Sequence, residues 1–296
     1  MRRAVHKLAV PMMAGAILLA PASAIAQNAD HSDRGDVSDF REHEEDGEPQ
    51  PYEFGLDGKP KPSWSLAVGE FALYDTNPFW DADGSEDALL FSPSVGLTYS
   101  HPNLVSGWDL ELGAGVDADL FSNNPDELNE GRLNFSATVF HAIPDVGTLS
   151  FGFRARWVYL GDSFGDFDHS LQRYLIVFAP DISDKVGISL SGEYRDSGVA
   201  ANRRFIGTVN FDASIVDTPD VAVGFFQEFS YSAYTAGLND GRDDLLSMSE
   251  VTLTPNLGLP DGANLALAAI LFHRFSNREA ARFTAIQVGP TFGYRF

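Results

Sequence analysis

Residues 186–195 read Val-Gly-Ile-Ser-Leu-Ser-Gly-Glu-Tyr-Arg, and this stretch decides the fold class. Its bulky apolar side chains occupy even-numbered positions, whereas glycine, serine and charged residues occupy the odd-numbered ones. Successive side chains of a β-strand point to opposite faces, so this two-residue period predicts a strand with one apolar and one polar face. Residues 107–121 show the same alternation, which makes the pattern a property of the chain rather than of one segment.

Twelve alternating segments follow one another after residue 62. They lie at about 63–74, 87–100, 107–121, 131–143, 148–160, 171–179, 185–195, 203–216, 220–233, 247–258, 263–275 and 282–296. Their connections alternate between short turns, four of which contain Pro-Asp, and longer polar loops. An even strand number with short turns at one rim and longer loops at the other is typical of outer-membrane barrels. The sequence therefore predicts an all-β fold, a closed transmembrane up-and-down antiparallel β-barrel of about 12 strands.

The aromatic residues separate a membrane barrel from a soluble β-sandwich, which is the alternative for such a chain. A sandwich would bury its apolar faces against a second sheet, and it gives no reason for the loops to alternate in length. Tyrosine and tryptophan collect at both membrane interfaces of a barrel. The aromatic residues near strand ends fall into one group for each predicted rim: Trp64, Tyr99, Trp108, Tyr294 and Phe296, and Tyr74, Trp157, Tyr159, Tyr174, Tyr194, Tyr231 and Tyr234. This sorting favours the barrel.

Charge and composition exclude several classes of function. The 296 residues include 20 Lys and Arg against 42 Asp and Glu, which gives a formal net charge of −22. Nucleic-acid binding needs a basic surface for the phosphates, so no nucleic-acid partner is expected. The chain has no cysteine, which excludes disulfides and thiolate metal or redox sites, and we predict no cofactor.

The first 62 residues are predicted to lie outside the barrel, which is assigned to residues 63–296. Residues 1–26 combine a basic start, an apolar run and the small-residue site Ala24-Ile25-Ala26, as in a secretory signal peptide. Residues 27–62 are acidic and contain four prolines, which predicts a disordered periplasmic tail. Such a tail is either simply solvated or a docking segment for a periplasmic partner, and the sequence leaves both interpretations open.

The last predicted strand carries a resemblance to a known class. Its larger residues alternate with small or polar ones up to the aromatic pair at the end: Ile286, Val288, Pro290, Phe292, Tyr294 and Phe296. A final amphipathic strand of this kind resembles the assembly signal of Gram-negative outer-membrane proteins. The resemblance implies a location in the outer membrane with both termini periplasmic. It also implies lipid and lipopolysaccharide as surroundings, and the barrel assembly machinery as a partner of the strand ending in Phe296.

The polar face of the strands predicts the residues that line the interior of the barrel. Carboxylates and arginines occur there in nearly equal number, so we expect an almost neutral lumen. The predicted pore-lining residues are Asp117, Asp119, Arg132, Arg154, Arg156, Arg173, Arg195, Arg204, Glu228 and Glu250. The arginines fall on the fourth to eighth strands and the carboxylates on the third, ninth and tenth, which predicts two facing walls of opposite charge. A transverse field between such walls would orient polar solutes.

Two functions of different class follow from this lining. The first is an outer-membrane channel for the passive passage of small polar solutes. The second is a structural or assembly barrel, for example in envelope polysaccharide export, whose charges pair across strands and whose tail docks a partner. Strand number does not decide between them, because barrels of about eight strands are filled and those of about sixteen leave a channel. A lipid-acting outer-membrane enzyme is a third and weaker hypothesis.

Neither catalytic nor metal-binding residues form a convincing pattern. His273, Ser276 and Asn277 faintly resemble the His, Ser and Asn set of outer-membrane phospholipases, but their spacing differs. We therefore predict no enzymatic activity and no metal site. Residues 81–87 and 239–244 have the oxygen-ligand spacing of loose Ca²⁺ loops, although acidic hairpin loops are usually only solvated.

Overall fold

The computed structural model describes residues 61–296 except 79–86, 124–127, 162–163, 165, 184 and 261. The predicted signal peptide at 1–26 lies outside the described residues, and so does the predicted tail at 27–62 apart from its last two residues. Both assignments stay predictions. None of the helices among the described residues has the length and hydropathy needed to cross a membrane.

Within the described residues, twelve β-strands form one closed sheet. They are β1 (Ser63–Asp75), β2 (Ala88–Val105), β3 (Trp108–Phe121), β4 (Glu130–Ile143), β5 (Gly147–Leu160), β6 (Asp166–Pro180), β7 (Val186–Ser197), β8 (Arg204–Asp217), β9 (Val221–Tyr234), β10 (Asp243–Pro255), β11 (Ala263–Ser276) and β12 (Phe283–Arg295). Each strand pairs antiparallel with its neighbours in sequence, and β1 pairs with β12. Closure matters because an open sheet edge in lipid would leave backbone groups unpaired. The predicted fold class and strand number are therefore confirmed.

Large apolar side chains cover the outside of the barrel, and most polar side chains point inward. On β3, Leu112 and Val116 are exposed, whereas Asp119 is 1% exposed. The same alternation recurs on the other strands, and exposed leucine, valine, isoleucine and phenylalanine side chains surround the barrel. A continuous apolar surface of this extent fits the hydrocarbon core of a membrane rather than water.

The two ends of the barrel differ in their connections. We call the end with the short turns the terminal rim, because β1 begins and β12 ends there, and the opposite end the loop rim. In the described parts of the loop-rim connections there are three one-turn 3-10 helices, at Ala200–Asn202, Gly237–Asn239 and Glu279–Ala281. Aromatic residues occur at both ends: Trp64 and Tyr99 pack with ring centroids 4.8 Å apart at the terminal rim, and Tyr74 lies near the loop rim.

The interior near the loop rim differs from the small, polar face that the alternation predicts. A buried apolar cluster covers the inner face of β10, β11 and β12: Leu246, Met248, Ala268, Ile270, Phe272, Phe283 and Ala285. A second cluster joins Ala88, Leu90, Phe121 and Leu128. The run Leu265–Phe272 makes β11 apolar on both faces, because it has no polar residue at alternate positions. Hydrophobic packing therefore fills part of the lumen beside these strands.

The seam between β1 and β12 places Phe296 next to the first strand. The backbone N–H of Phe296 donates to the carbonyl oxygen of Leu66 at 2.9 Å, and the ring of Phe296 lies 4.4 Å from that of Tyr294. The Phe296 side chain is 68% exposed, on the outside of the barrel. Phe296 thus takes part in the backbone hydrogen bonds that join β12 to β1, and its side chain is one of the aromatic residues at the terminal rim.

Deleting Phe296 should lower the amount of folded barrel in the membrane, because it removes closing hydrogen bonds and an interfacial aromatic side chain. The measurement is the fraction of protein whose gel mobility changes on heating. Phe296→Tyr keeps the backbone and an aromatic ring, and this control variant should assemble like the wild type. Normal assembly of the deletion variant would contradict the resemblance to the assembly signal.

Candidate functional site

The candidate site is the lumen, and the ten predicted pore-lining residues all lie on the inner face of the barrel. The residues on either side of each of them in the strand point outward. Because successive side chains of a strand point to opposite faces, each of the ten points inward. Eight are buried, and Asp117 and Arg154 are half-buried. The two carboxylates Asp117 and Asp119 lie on β3, the arginines on β4 to β8, and Glu228 and Glu250 on β9 and β10.

Arg132 on β4 lies among three carboxylates. Its Nε is paired with Asp117, its Nη2 lies 3.0 Å from Asp119 Oδ2, and its Nη1 lies 3.6 Å from Glu130 Oε2. The register of β3 and β4 sets Asp117 directly opposite Arg132, so strand pairing brings these charges together. Ser92 on β2 also donates a hydrogen bond to Asp119. A buried guanidinium needs partners of this kind.

Asn134 extends this network from β3 to β5. Its amide nitrogen donates to Asp117, and its Oδ1 accepts a hydrogen bond of 2.8 Å from Nε of Arg156. Arg156 itself is 5% exposed. Side chains on β3, β4 and β5 are therefore linked along the wall of the lumen in addition to their backbone ladder.

Glu193 on β7 bridges two arginines. Its Oε2 lies 2.6 Å from Nη2 of Arg173, and its Oε1 accepts hydrogen bonds of 2.9 Å from Nε of both Arg173 and Arg195. Arg173 and Arg195 occupy paired positions across β6 and β7, where two like charges would otherwise repel. The carboxylate of Glu193 therefore compensates both guanidinium groups.

A third group lies at the loop-rim ends of β8 to β11. The guanidinium groups of Arg204 and Arg242 lie 4.9 and 4.7 Å from the ring centroid of Tyr234, within the range of cation–π contacts. Arg242 Nη2 lies 2.6 Å from Asp244 Oδ2, and Arg274 Nε lies 4.0 Å from the same oxygen. All of these side chains are buried.

Together these side chains form a layer across the loop-rim half of the lumen, which we call the charged layer. It consists of Asp117, Asp119, Glu130, Arg132, Arg156, Arg173, Glu193, Arg195, Arg204, Arg242, Asp244 and Arg274. Carboxylates and arginines are mixed within it, since Glu130 and Glu193 lie among the arginines of β4 to β7. The structure thus has local ion pairs in place of the two separate walls that the sequence predicted.

Five members of the charged layer are absent from the ten predicted pore-lining residues: Glu130, Glu193, Arg242, Asp244 and Arg274. Glu193 lies on the polar face that the alternation of residues 186–195 predicts. Asp244 was placed in the 239–244 loop, but β10 begins at Asp243 and Asp244 points inward. A signal for it was present, because Asp244 shares the even-numbered positions of Glu250 on the same strand. Arg274 likewise continues the inward series of Ile270 and Phe272 on β11.

Three loop-rim connections are hydrogen-bonded to one another at this end of the barrel. The side-chain amide of Asn239 donates to the carbonyl oxygen of Ala201 at 3.1 Å, and the backbone N–H of Thr235 donates to Arg203 at 3.0 Å. Arg278 Nη2 donates to the carbonyl oxygen of Asp240 at 3.0 Å. The connections after β7, β9 and β11 are therefore joined to one another above the charged layer.

The terminal-rim half of the lumen is more open. Many of its inward residues are small or polar and partly exposed, among them Thr98, Ser136, Thr138, Ser150 and Ser189, although Phe140, Leu175 and Val177 also occupy inward positions. Arg154 and Arg295 are half-buried, and Asp212 is exposed. A Cβ atom added at Gly96 would meet no other atom within 4 Å, so free space adjoins the wall at this position. The lumen therefore combines a mostly polar half that is less closely packed with a closely packed charged half.

The enzyme and metal patterns of the sequence are not assembled into sites among the described residues. His273 points outward, with its Nδ1 2.7 Å from Thr284 Oγ1, whereas Ser276 is buried on the inner face. In the 239–244 loop, Asp244 is paired with Arg242 rather than arranged around a cation. No group of three or more His, Asp or Glu residues in the described part of the chain is placed to hold a metal ion. Residues 81–86 of the other acidic loop lie outside it.

Comparison with known proteins supports the fold class. No protein-family profile and no curated protein matches the sequence. An outer-membrane channel from Pseudomonas putida F1 is 12% identical over 84% of this chain and 99% of that one, with a TM-score of 0.50. Outer-membrane phospholipase A from Escherichia coli is 10% identical over 76% and 89% of the two chains, with a TM-score of 0.47. The KdgM porin is 13% identical over 78% and 99%, with a TM-score of 0.44.

Sequence identities this low support similarity of fold alone. The class that the fold defines is the closed antiparallel β-barrel of twelve strands, and in that fold this chain resembles the outer-membrane channel from Pseudomonas putida F1.

Proposed function

We propose that this protein is a channel in the outer membrane of a Gram-negative bacterium, through which small polar solutes pass passively. The observation that carries the proposal is the inner face of the barrel, where charged and small polar side chains line strands whose outer face is apolar. Ionisable groups at membrane depth are rare unless they face a polar path or pair with one another. Here the terminal-rim half supplies the polar path, and the charged layer supplies the pairing.

Solute passage would proceed in two stages. In the terminal-rim half, glycine, serine and threonine leave room for a hydrated solute. At the charged layer the solute meets guanidinium and carboxylate groups, for example around Glu193, and exchanges its hydrogen bonds with water for bonds to them. The ion pairs must rearrange for this step, because their side chains are buried in this structure. Groups of both signs at one level orient dipolar solutes rather than exclude ions of one sign.

The orientation proposed for the barrel places the terminal rim in the periplasm and the longer loops outside the cell, as in other outer-membrane barrels. Both termini are then periplasmic, and the predicted acidic tail is accessible to a periplasmic partner. The outer surface contacts lipid and, in the outer leaflet, lipopolysaccharide. The strand ending in Phe296 is the part proposed to meet the barrel assembly machinery. No catalytic role is proposed for the protein.

Changing Arg156 to Gln should shift ion selectivity toward cations, because it removes a positive charge from the lumen. The measurement is the reversal potential in planar bilayers under a salt gradient, for wild type and variant. The shift should persist at about 1 M salt, where the Debye length is about 3 Å and exposed charges are screened far more than buried ones.

Arg203→Gln is the matched control for this experiment. Arg203 lies in the connection after β7, where it pairs with Asp196 at 2.8 Å and both side chains are 43% exposed. Its loss should have an effect only at low salt. An equal, salt-independent shift in both variants would contradict the place of Arg156 in the solute path, and a wild-type barrel that never conducts would contradict the channel itself.

A structural barrel is the second candidate, and the packing of the charged layer favours it. Arg132, Arg195 and Arg204 are 3% exposed or less, as expected for groups that stiffen a barrel rather than contact solutes. Such a barrel would conduct neither as wild type nor after its charged layer is truncated. It would instead lose a periplasmic partner when residues 27–62 are deleted.

A further inference from the structure

Polar side chains interrupt the outer surface of the barrel near the middle of β1 and near the middle of β9 and β10. The first is Glu70 on β1, which we call the acceptor patch together with Pro93 on β2 and Pro290 on β12. The second is formed by Gln227 on β9 and by Ser247 and Ser249 on β10, which we call the donor patch. All of these residues occupy outward positions in the strand pattern.

Glu70 is a carboxylate on the lipid-facing surface. It lies in the middle of β1, between the outward aromatic residues Trp64 and Tyr74, and it is exposed. Its register partners are Pro93 and Phe292. Among the residues that the structure describes, Glu70 has neither a hydrogen bond nor an ion pair. A charged group at this depth is unfavourable in hydrocarbon, so its presence needs a partner.

The backbone ladders beside Glu70 are interrupted at two prolines. The β1–β12 ladder has no paired residues between Phe71↔Thr291 and Tyr74↔Val288, where Pro290 lacks an N–H. The β2–β3 ladder is likewise interrupted beside Pro93. Proline leaves a facing carbonyl without its ladder donor. The acceptor patch therefore offers the carboxylate of Glu70 as an acceptor, and its side chains contain no donor.

The donor patch has the complementary chemistry. The amide nitrogen of Gln227 donates to Ser247 Oγ and to the carbonyl oxygen of Glu228, each at 3.0 Å, and Ser249 Oγ donates to Gln227 Oε1 at 2.6 Å. Because Ser247 accepts from Gln227, its own hydroxyl hydrogen is left to point outward. The outward neighbours Phe229 and Val251 are apolar and exposed. The two serines are also small enough to let another backbone approach closely.

We infer that copies of this chain associate in the membrane by a heterologous contact, in which Glu70 of one copy accepts a hydrogen bond from the Ser247 hydroxyl in the donor patch of the next. Both patches lie near the middle of their strands, and so at similar depth. A second copy offers no outward Lys or Arg within its described strands, and its donor patch supplies a hydroxyl donor to a carboxylate at this depth. A contact between two different patches builds a ring or a chain rather than a two-fold dimer.

The absence of native cysteine allows a direct test by disulfide cross-linking in the membrane. Ala72→Cys marks the acceptor patch and Val251→Cys marks the donor patch, and both leave the polar residues intact. The two variants are expressed together with different tags, and the membranes are oxidised. We expect a cross-link that carries both tags and little cross-linking when either variant is expressed alone. Val116→Cys, outward on β3, replaces Val251→Cys in the control and should give none.

The dependence on Glu70 is tested in the same cysteine pair. Glu70→Leu should reduce the cross-linked fraction about tenfold, which corresponds to about 1.4 kcal/mol of association free energy. Glu70→Gln keeps an acceptor oxygen and should retain more of the cross-link. Both variants change a lipid-facing side chain, so the folded fraction should stay at the wild-type level on heated and unheated gels.

Three outcomes would overturn the inference. Cross-linking of Ala72→Cys to itself would indicate a two-fold contact, and equal cross-linking with Val116→Cys would indicate random collision. A monomeric mass in mild detergent, together with no cross-link in the membrane, would mean that lipid alone covers both patches.

Discussion

Replacing Glu193 with Gln should lower the free energy of unfolding of the barrel by about 3–5 kcal/mol, because it leaves two buried guanidinium groups without their shared carboxylate. Arg173 and Arg195 are paired across β6 and β7, and Gln would present its NH₂ group to at least one of them. The measurement is denaturant unfolding of the protein refolded in detergent micelles, followed by tryptophan fluorescence.

Glu70→Gln is the matched control for this prediction, since it is the same chemical change on the lipid-facing side. Neutralising Glu70 in the detergent-solubilised monomer removes an unpaired charge from an apolar surface and should not destabilise the barrel. We therefore expect the change to Gln to lower the free energy of unfolding at Glu193 but not at Glu70. The two positions differ in the face of the barrel on which they lie. Equal effects at both positions would mean that Glu193 is solvated by lumen water and that its ion pairs contribute little.

Removing a whole ion-pair group should open the lumen. The triple variant Arg173→Ala, Glu193→Ala and Arg195→Ala removes three long side chains from the charged layer. Because the carboxylate and both arginines that it bridges are removed together, none of the three stays behind without the others. We expect a several-fold rise in single-channel conductance over the wild type, because conductance depends on the width of the narrowest level of the pore. Single-channel recordings in planar bilayers measure this directly.

The control for the triple variant removes an ion pair that lies outside the lumen. Asp196→Ala with Arg203→Ala deletes an exposed pair next to the same strands, and conductance should stay at the wild-type level. Gels of heated and unheated samples establish that each barrel is folded. If the folded triple variant conducts no better than wild type, the charged layer is not the narrowest level. If neither barrel conducts at all, the structural function is the better proposal.

Local sequence carried most of the information about the architecture. The two-residue period, the Pro-Asp turns and the sorting of aromatic residues to strand ends were enough to predict twelve strands and a closed barrel. The same period predicted which side chains point inward, as for Arg156 and Glu250. These features are local because the direction of a side chain depends only on its position within the pleat of its own strand.

The partners of those side chains were decided by the tertiary structure. Asp117 and Arg132 form a pair because the register of β3 against β4 sets them opposite each other, and register depends on all the strand pairings around the barrel. Arg242 and Asp244 were taken for a solvated loop, because polar residues at a strand end look alike whether they face water or the lumen. Only closure of the barrel buries them beside Tyr234.

The sequence by itself thus determined the strands, their two faces and the position of each charge along its strand. The tertiary structure decided which charges neutralise one another, where apolar residues fill the lumen, and that Glu70 has no partner among the described residues. The physical reason is one of range. Alternation depends on neighbouring residues in the sequence. Ion pairing and the filling of the lumen depend on groups that meet only when strands distant in sequence close into one sheet.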